Sequence, residues 1–139
     1  MRIVTAIVVT VTALSVLAGN SSGFYAAYGE VDHQRFMARV SLADIHKTPR
    51  WSPDSEKTPP LPPGRAQSIA HRQLEQVVPS GQKWQVDAVR IVDADEHGDW
   101  LYEIAFHRDY PPNANVTGND RMEILVLMDG TPVAPHKIP

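Results

Sequence analysis

The sequence predicts an α+β domain in which one amphipathic helix packs across a three- to four-stranded antiparallel sheet. Three observations carry that expectation. Ala66, Ile69, Ala70, Leu74 and Val77 form a stripe at helical spacing, with prolines on both sides. Three runs of period-two alternation follow it, over residues 84–92, 100–107 and 121–128. The order helix, strand, strand, strand with polar loops suits a meander covered on one face by the helix.

The first element is a leader. Met1 and Arg2 open the chain, and residues 3–18 carry no charge. Val16, Leu17 and Ala18 end the run in the small-residue manner of a signal-peptidase site. The run is shorter than the roughly 20 residues of a spanning helix. We therefore expect residues 1–18 to be a cleaved signal peptide, with an uncleaved membrane anchor as the alternative. Cleavage leaves 12 basic and 16 acidic side chains, a balance of -4. That balance argues against a nucleic-acid partner, whose phosphates call for surplus Lys and Arg. The chain has no cysteine, which excludes disulfides, a thiol nucleophile, a Cys-ligated zinc site and a lipoprotein anchor. Export without disulfides fits a bacterial envelope, periplasmic or extracellular.

Residues 19–47 form an N-terminal segment in which 36–42 alternate as a strand would, although Ala38 and Ala43 suit a helix equally. Residues 48–61 and the start of the helix are dense in proline. Pro49, Pro53, Pro59, Pro60, Pro62 and Pro63 fix six φ angles and remove six N–H donors, excluding helix interior and ladder strand. This stretch reads as an extended linker that Trp51 pins to the domain surface. The domain proper then spans residues 62–139. Pro62 and Pro63 open the helix, and Pro79 and Gly81 stop it. In residues 84–92 the alternation changes phase between Ala88 and Val89, which predicts a bulge or strong twist. Residues 100–107 place Trp100, Tyr102, Ile104 and Phe106 on one face and Leu101, Glu103, Ala105 and His107 on the other. Residues 121–128 set Met122, Ile124, Val126 and Met128 against Glu123, Leu125 and Leu127. Asp129-Gly130 turns the chain, and Pro132 and Pro135 prevent another long internal strand. The expected core is Ala66, Ile69, Ala70, Leu74, Val77, Val86, Val89, Ile91, Tyr102, Ile104, Phe106, Ile124, Val126 and Met128.

The helix of form P-x-x-A-x-x-I-A-x-x-x-L, the three strands after it, and the closing Met128-Asp129-Gly130-Thr131-Pro132-Val133 resemble a PepSY-like domain, a small exported bacterial α/β module. Residues 59–135 carry the likeness. The chain is also similar to uncharacterised secreted proteins with a Pro-rich lead and a terminal V-L-M-D-G segment. The resemblance implies an envelope or extracellular location and a role in binding peptides or restraining peptidases. It implies no catalytic residues.

Two places suggest chemistry. Asp93, Asp95, Glu96 and Asp99, with Gly98, could surround a calcium ion, a hard cation that takes six to eight oxygens. Asp93, Asp95 and Gly98 echo an EF-hand loop, but His97 stands at its fifth place and Ile104 where the bidentate Glu belongs. The plainer reading is a solvated hairpin loop. The second place is the sheet face bearing Leu101, Ala105, Leu125 and Leu127, which is too apolar to stay wet. Either residues 36–42 fold over it, or Leu101, Leu125 and Leu127 form a binding surface for a partner. Six histidines lie in separate elements without ligand spacing, so no zinc site is expected, although a fold could gather His71, His107 and a carboxylate. H-E-x-x-H is absent, and Gly118 and Gly130 stand alone where a phosphate loop would cluster glycines. The leading expectation is a non-catalytic exported binding or accessory module without cofactor, acting on a protein or peptide of the envelope. The alternatives are a small calcium-binding protein and an enzyme lacking a recognisable motif.

Overall fold

The proline-flanked stripe folds as expected, and the surprise lies before it. The computed structural model describes residues 23–116 and 118–139. The leader expected at residues 1–18 lies outside them. Two N-terminal strands, β1 (Phe24–Val31) and β2 (Gln34–Ser41), lead into a one-turn helix α1 (Leu42–His46). The long helix α2 (Pro63–Val77) follows, then β3 (Lys83–Asp93), β4 (Trp100–Asp109) and β5 (Arg121–Leu127). Two short strands, β6 (Pro132–Val133) and β7 (His136–Ile138), close the chain. Among the described residues no helix is long and apolar enough to cross a membrane.

All pairings are antiparallel, in the order β3-β4-β5-β1-β2-β7, with β6 beside the far end of β5. The described residues are therefore α+β, with seven strands and two helices where three or four strands and one helix were expected. The bulge expected in β3 is real: the β3–β4 register shifts between Val86 and Ala88. The phase change in the sequence records that one extra residue.

Helix α2 covers the β4–β5 face that carries Tyr102, Ile104, Phe106, Met122, Ile124 and Val126. Ala66, Ala70 and Leu74 are its buried contacts, and Ile69 and Val77 pack at the margin. Every residue of the expected core lies in or against this cluster. The Pro-rich stretch is less a linker than a strap across it. Trp51 meets Trp100 edge to face at 5.3 Å, Leu61 is buried, and the Tyr102 hydroxyl donates to the Leu61 carbonyl.

The second sheet face is covered by the chain itself. Leu101, Leu125 and Leu127 are 0%, 0% and 7% exposed, so they are core and not a binding surface for a partner. Ala27, Ala38, Val40 and Ile45 complete that second cluster. The cover comes from residues 36–42, as one of the two expectations had it, but they arrive as half of a hairpin whose first strand the sequence reading missed. Ala27 and Val31 share one face of β1, as Phe36, Ala38 and Val40 share one face of β2. Yet Val31 and Phe36 join the helix-side cluster, while Ala27, Ala38 and Val40 join the other. The ribbon therefore crosses the β5 edge, pairing with β5 only at Gly29 and Glu30. Gly29 makes the crossing possible: a Cβ there would lie 2.5 Å from Met122 Sδ and 2.9 Å from the Arg121 carbonyl oxygen.

The hairpin turn is Asp32-His33, both left-handed at φ 49° and 64°. Such a two-residue turn matches strand twist but disfavours side chains other than Asn, Asp and Gly. Distant partners stabilise it. Asp120, itself buried, accepts the Asp32 backbone N–H at 3.1 Å, and Arg108 Nη1 bridges Asp32 at 2.8 Å and Asp120 at 3.0 Å.

Candidate functional site

The crossing hairpin builds two polar sites. The first is a groove of about 570 Å³ between the hairpin and the polar half of the sheet face it covers. Ala88 and Ala105 face it from the sheet, with Arg35, Arg90 and Arg121 and Glu30, Asp87 and Glu123 around them, while Phe106 and Met122 border it from strands whose side chains there pack on the helix side. Tyr28, 54% exposed, stands at the rim. The β3 bulge contributes here, because the residue at the register shift is Asp87, which contacts His107 Nδ1 at 2.6 Å.

Behind one wall lies a tied network. Arg90 Nη1 donates to Glu103 Oε1 at 2.9 Å and stands 3.8 Å from Glu123 Oε1. The Tyr25 hydroxyl donates to Glu103 Oε2 at 2.7 Å. Burial, then the hydrogen bond to Glu103, holds the Tyr25 phenol well above its ordinary range. Burial, then the nearby Glu103 charge, raises Glu123. Both oxygens of Glu103 are occupied and Tyr25 is fixed as a donor, so these groups hold the groove's shape and leave Arg90 and Glu123 to face it.

The second site is the β3–β4 loop. Its backbone is shaped by its own carboxylates: Asp95 Oδ1 accepts the His97 N–H and Asp93 Oδ2 accepts the Gly98 N–H, each at 3.0 Å. Glu96 and Gly98 are left-handed, at φ 62° and 89°. The Ala94 N–H donates to the Asp99 carbonyl and draws the loop shut. Asp99 is then carried inward to 2% exposure, so the loop is not simply solvated.

What meets it is His46. Ser41 caps α1 by accepting the Asp44 N–H, and buried Ile45 anchors the turn in the second cluster. The next residue, His46, is thereby held over the loop. His46 Nδ1 lies 2.6 Å from Asp99 Oδ2 and His46 Nε2 lies 3.7 Å from Asp95 Oδ2. A ligand atom from each of the three residues lies within 4.8 Å of the others. Arg50 Nε stands 3.4 Å from the other Asp99 oxygen.

Of the residues expected in a calcium loop, Asp95 and Asp99 converge, whereas Asp93 spends one oxygen on the Gly98 N–H and stands outside the group. His46 completes it, and no spacing in the sequence announced it. The grouping of His71 with His107 does not form. His71 pairs with Glu75 and meets the Phe106 ring, while His107 pairs with Asp87 in the other polar region. Comparison with protein-family models, curated proteins and solved structures gives no match.

Proposed function

We propose that the chain is a non-catalytic binding module exported to the bacterial envelope, and that it takes a peptide of mixed charge in the groove between the N-terminal hairpin and β3–β5. The observation that carries this reading is the lining: three arginines and three acidic residues around Ala88 and Ala105. A ligand with one charge sign would meet like charge on part of the wall, whereas a chain carrying both signs can pair with each. An exposed tyrosine at the rim adds a rigid amphipathic contact. The PepSY-like resemblance supports a peptide as the ligand, and a peptidase restrained through the same groove is the partner it suggests.

The test is a titration of the protein with a short extended peptide containing Arg, Glu and an aromatic residue, followed by backbone amide NMR. Shifts should concentrate at Tyr28, Arg90, Ala105 and Glu123, and Arg90→Gln should weaken them. Shifts scattered over the surface, or none at millimolar peptide, would overturn the reading.

A further inference from the structure

We propose that His46, Asp95 and Asp99 form a site for a divalent transition-metal ion, zinc being the probe of choice. Three features of the group point to a cation. The donors are an imidazole and two carboxylates delivered by separate elements, α1 and the β3–β4 loop. Asp99 is buried, and its Oδ2 has no aligned hydrogen-bond donor. His46 Nδ1 comes within 2.6 Å of that oxygen as an ion-pair contact that leaves it without a hydrogen bond. A buried carboxylate oxygen without a donor is costly, and a metal ion is one of the few partners that offset the cost.

The donor set selects the class of ion. Calcium and magnesium take oxygen ligands at six or more positions. Imidazole with carboxylates suits zinc and its first-row neighbours, which accept three protein ligands and leave a position for water. The spacing is compatible with that. His46 Nε2 and Asp95 Oδ2 are 3.7 Å apart, close to the separation of two ligands bonded at about 2.1 Å in an open tetrahedral site. Asp99 Oδ2 and Nδ1 are too close to share an ion as they stand. The His46 side chain is nearly half exposed and is the part free to turn, whereas Asp99 is fixed. Binding therefore rotates the imidazole, which presents one nitrogen to the ion and releases the 2.6 Å contact.

Such an ion would tie α1 to the β3–β4 loop, and so lock the hairpin's trailing end to the sheet it covers. Its function is independent of what the groove holds.

The experiment is calorimetric titration of the protein with zinc chloride at neutral pH, beside calcium chloride, on wild type, His46→Gln and His107→Gln. We expect one zinc per chain, at least tenfold weaker binding in His46→Gln, unchanged binding in His107→Gln and no heat from calcium at equal concentration. Asp99→Asn is the more direct variant but removes a buried group and can fail to fold. His46→Gln alters a half-exposed side chain and decides the matter alone. No zinc binding at 0.1 mM, zinc binding that survives His46→Gln, or calcium binding as tight as zinc would each overturn the proposal.

Discussion

Adding a single methyl group at Gly29 tests the crossing of the hairpin over β5. The Cβ of Gly29→Ala would sit 2.5 Å from Met122 Sδ, 2.9 Å from the Arg121 carbonyl oxygen and 3.0 Å from Met122 Cα. Two of those atoms are backbone, and the Met122 side chain is fully buried with little room to retreat. The strands must therefore separate where they pair, at Gly29–Met122 and Glu30–Arg121. Overpacking of this kind costs about 1–3 kcal/mol, and backbone crowding puts Gly29→Ala near the top of that range. With a urea m-value of about 1–3 kcal/mol/M for a domain of this size, the unfolding midpoint should fall by roughly 1–2 M. Gly64→Ala is the matched control. It lies in α2, its Cβ would have nothing within 4 Å, and it should stabilise by about 0.5–1 kcal/mol. A Gly29→Ala midpoint that moves no more than about 0.2 M would show that β1 does not approach β5 as described.

Leu125→Ala and Ile104→Ala should each cost about 2–5 kcal/mol in urea unfolding, because both faces of the sheet are buried; a loss confined to Ile104→Ala would mean the second face is open. Tyr102→Phe should cost about 1–2 kcal/mol by leaving the Leu61 carbonyl without its donor, measured the same way. Burial pushes the Tyr102 phenol up to about 12, so the native state keeps a proton the unfolded chain loses first. Stability from this group is complete below pH 10 and should fall between about pH 10 and 12, and Tyr102→Phe should flatten that fall. Glu123 is raised above the ordinary glutamate range by burial and by Glu103, so it favours folding in acid and loses that contribution as pH rises through its raised value. Glu123→Gln should gain stability relative to wild type from about pH 4 to pH 7, by a modest amount because the side chain is partly solvated.

Helix α2 and the three strands after it were legible because each carries its own signal. An apolar stripe between prolines and clean period-two runs depend only on residues near one another in sequence. Even the β3 bulge showed as a phase slip at Ala88 and Val89. The N-terminal hairpin was half hidden for a physical reason. On β1 the inward face is Tyr25, Ala27, Gly29 and Val31, a weak apolar signal because Gly29 stands where the ribbon passes close to β5. Its outward face holds the large Phe24 and Tyr28. Phe24 is sheltered by the Arg39 guanidinium at 3.6 Å, a contact no hydropathy pattern records. The turn Asp32-His33 lacks glycine because Asp120 and Arg108, far along the chain, hold it.

The candidate sites divide the same way. Asp95 and Asp99 stood out as a carboxylate cluster in the sequence. His46 did not, since its place over them depends on Ile45 docking in a core that the hairpin creates. The groove was invisible for a related reason: it is the space left between two layers, and the sequence reading had one of them. Leu101, Leu125 and Leu127 were correctly singled out as too apolar for water, but the surface they need is supplied from within the chain.

Both sites depend on the N-terminal hairpin lying across the sheet, because it forms one wall of the groove and leads into the helix that delivers His46. Methyl–methyl NOE spectroscopy observes that arrangement directly. Cross-peaks joining the methyls of Ala27, Ala38 or Val40 to those of Leu101, Leu125 or Leu127 are the predicted result. Leucine methyls without such partners, and broadened by a soluble paramagnetic agent, would contradict it.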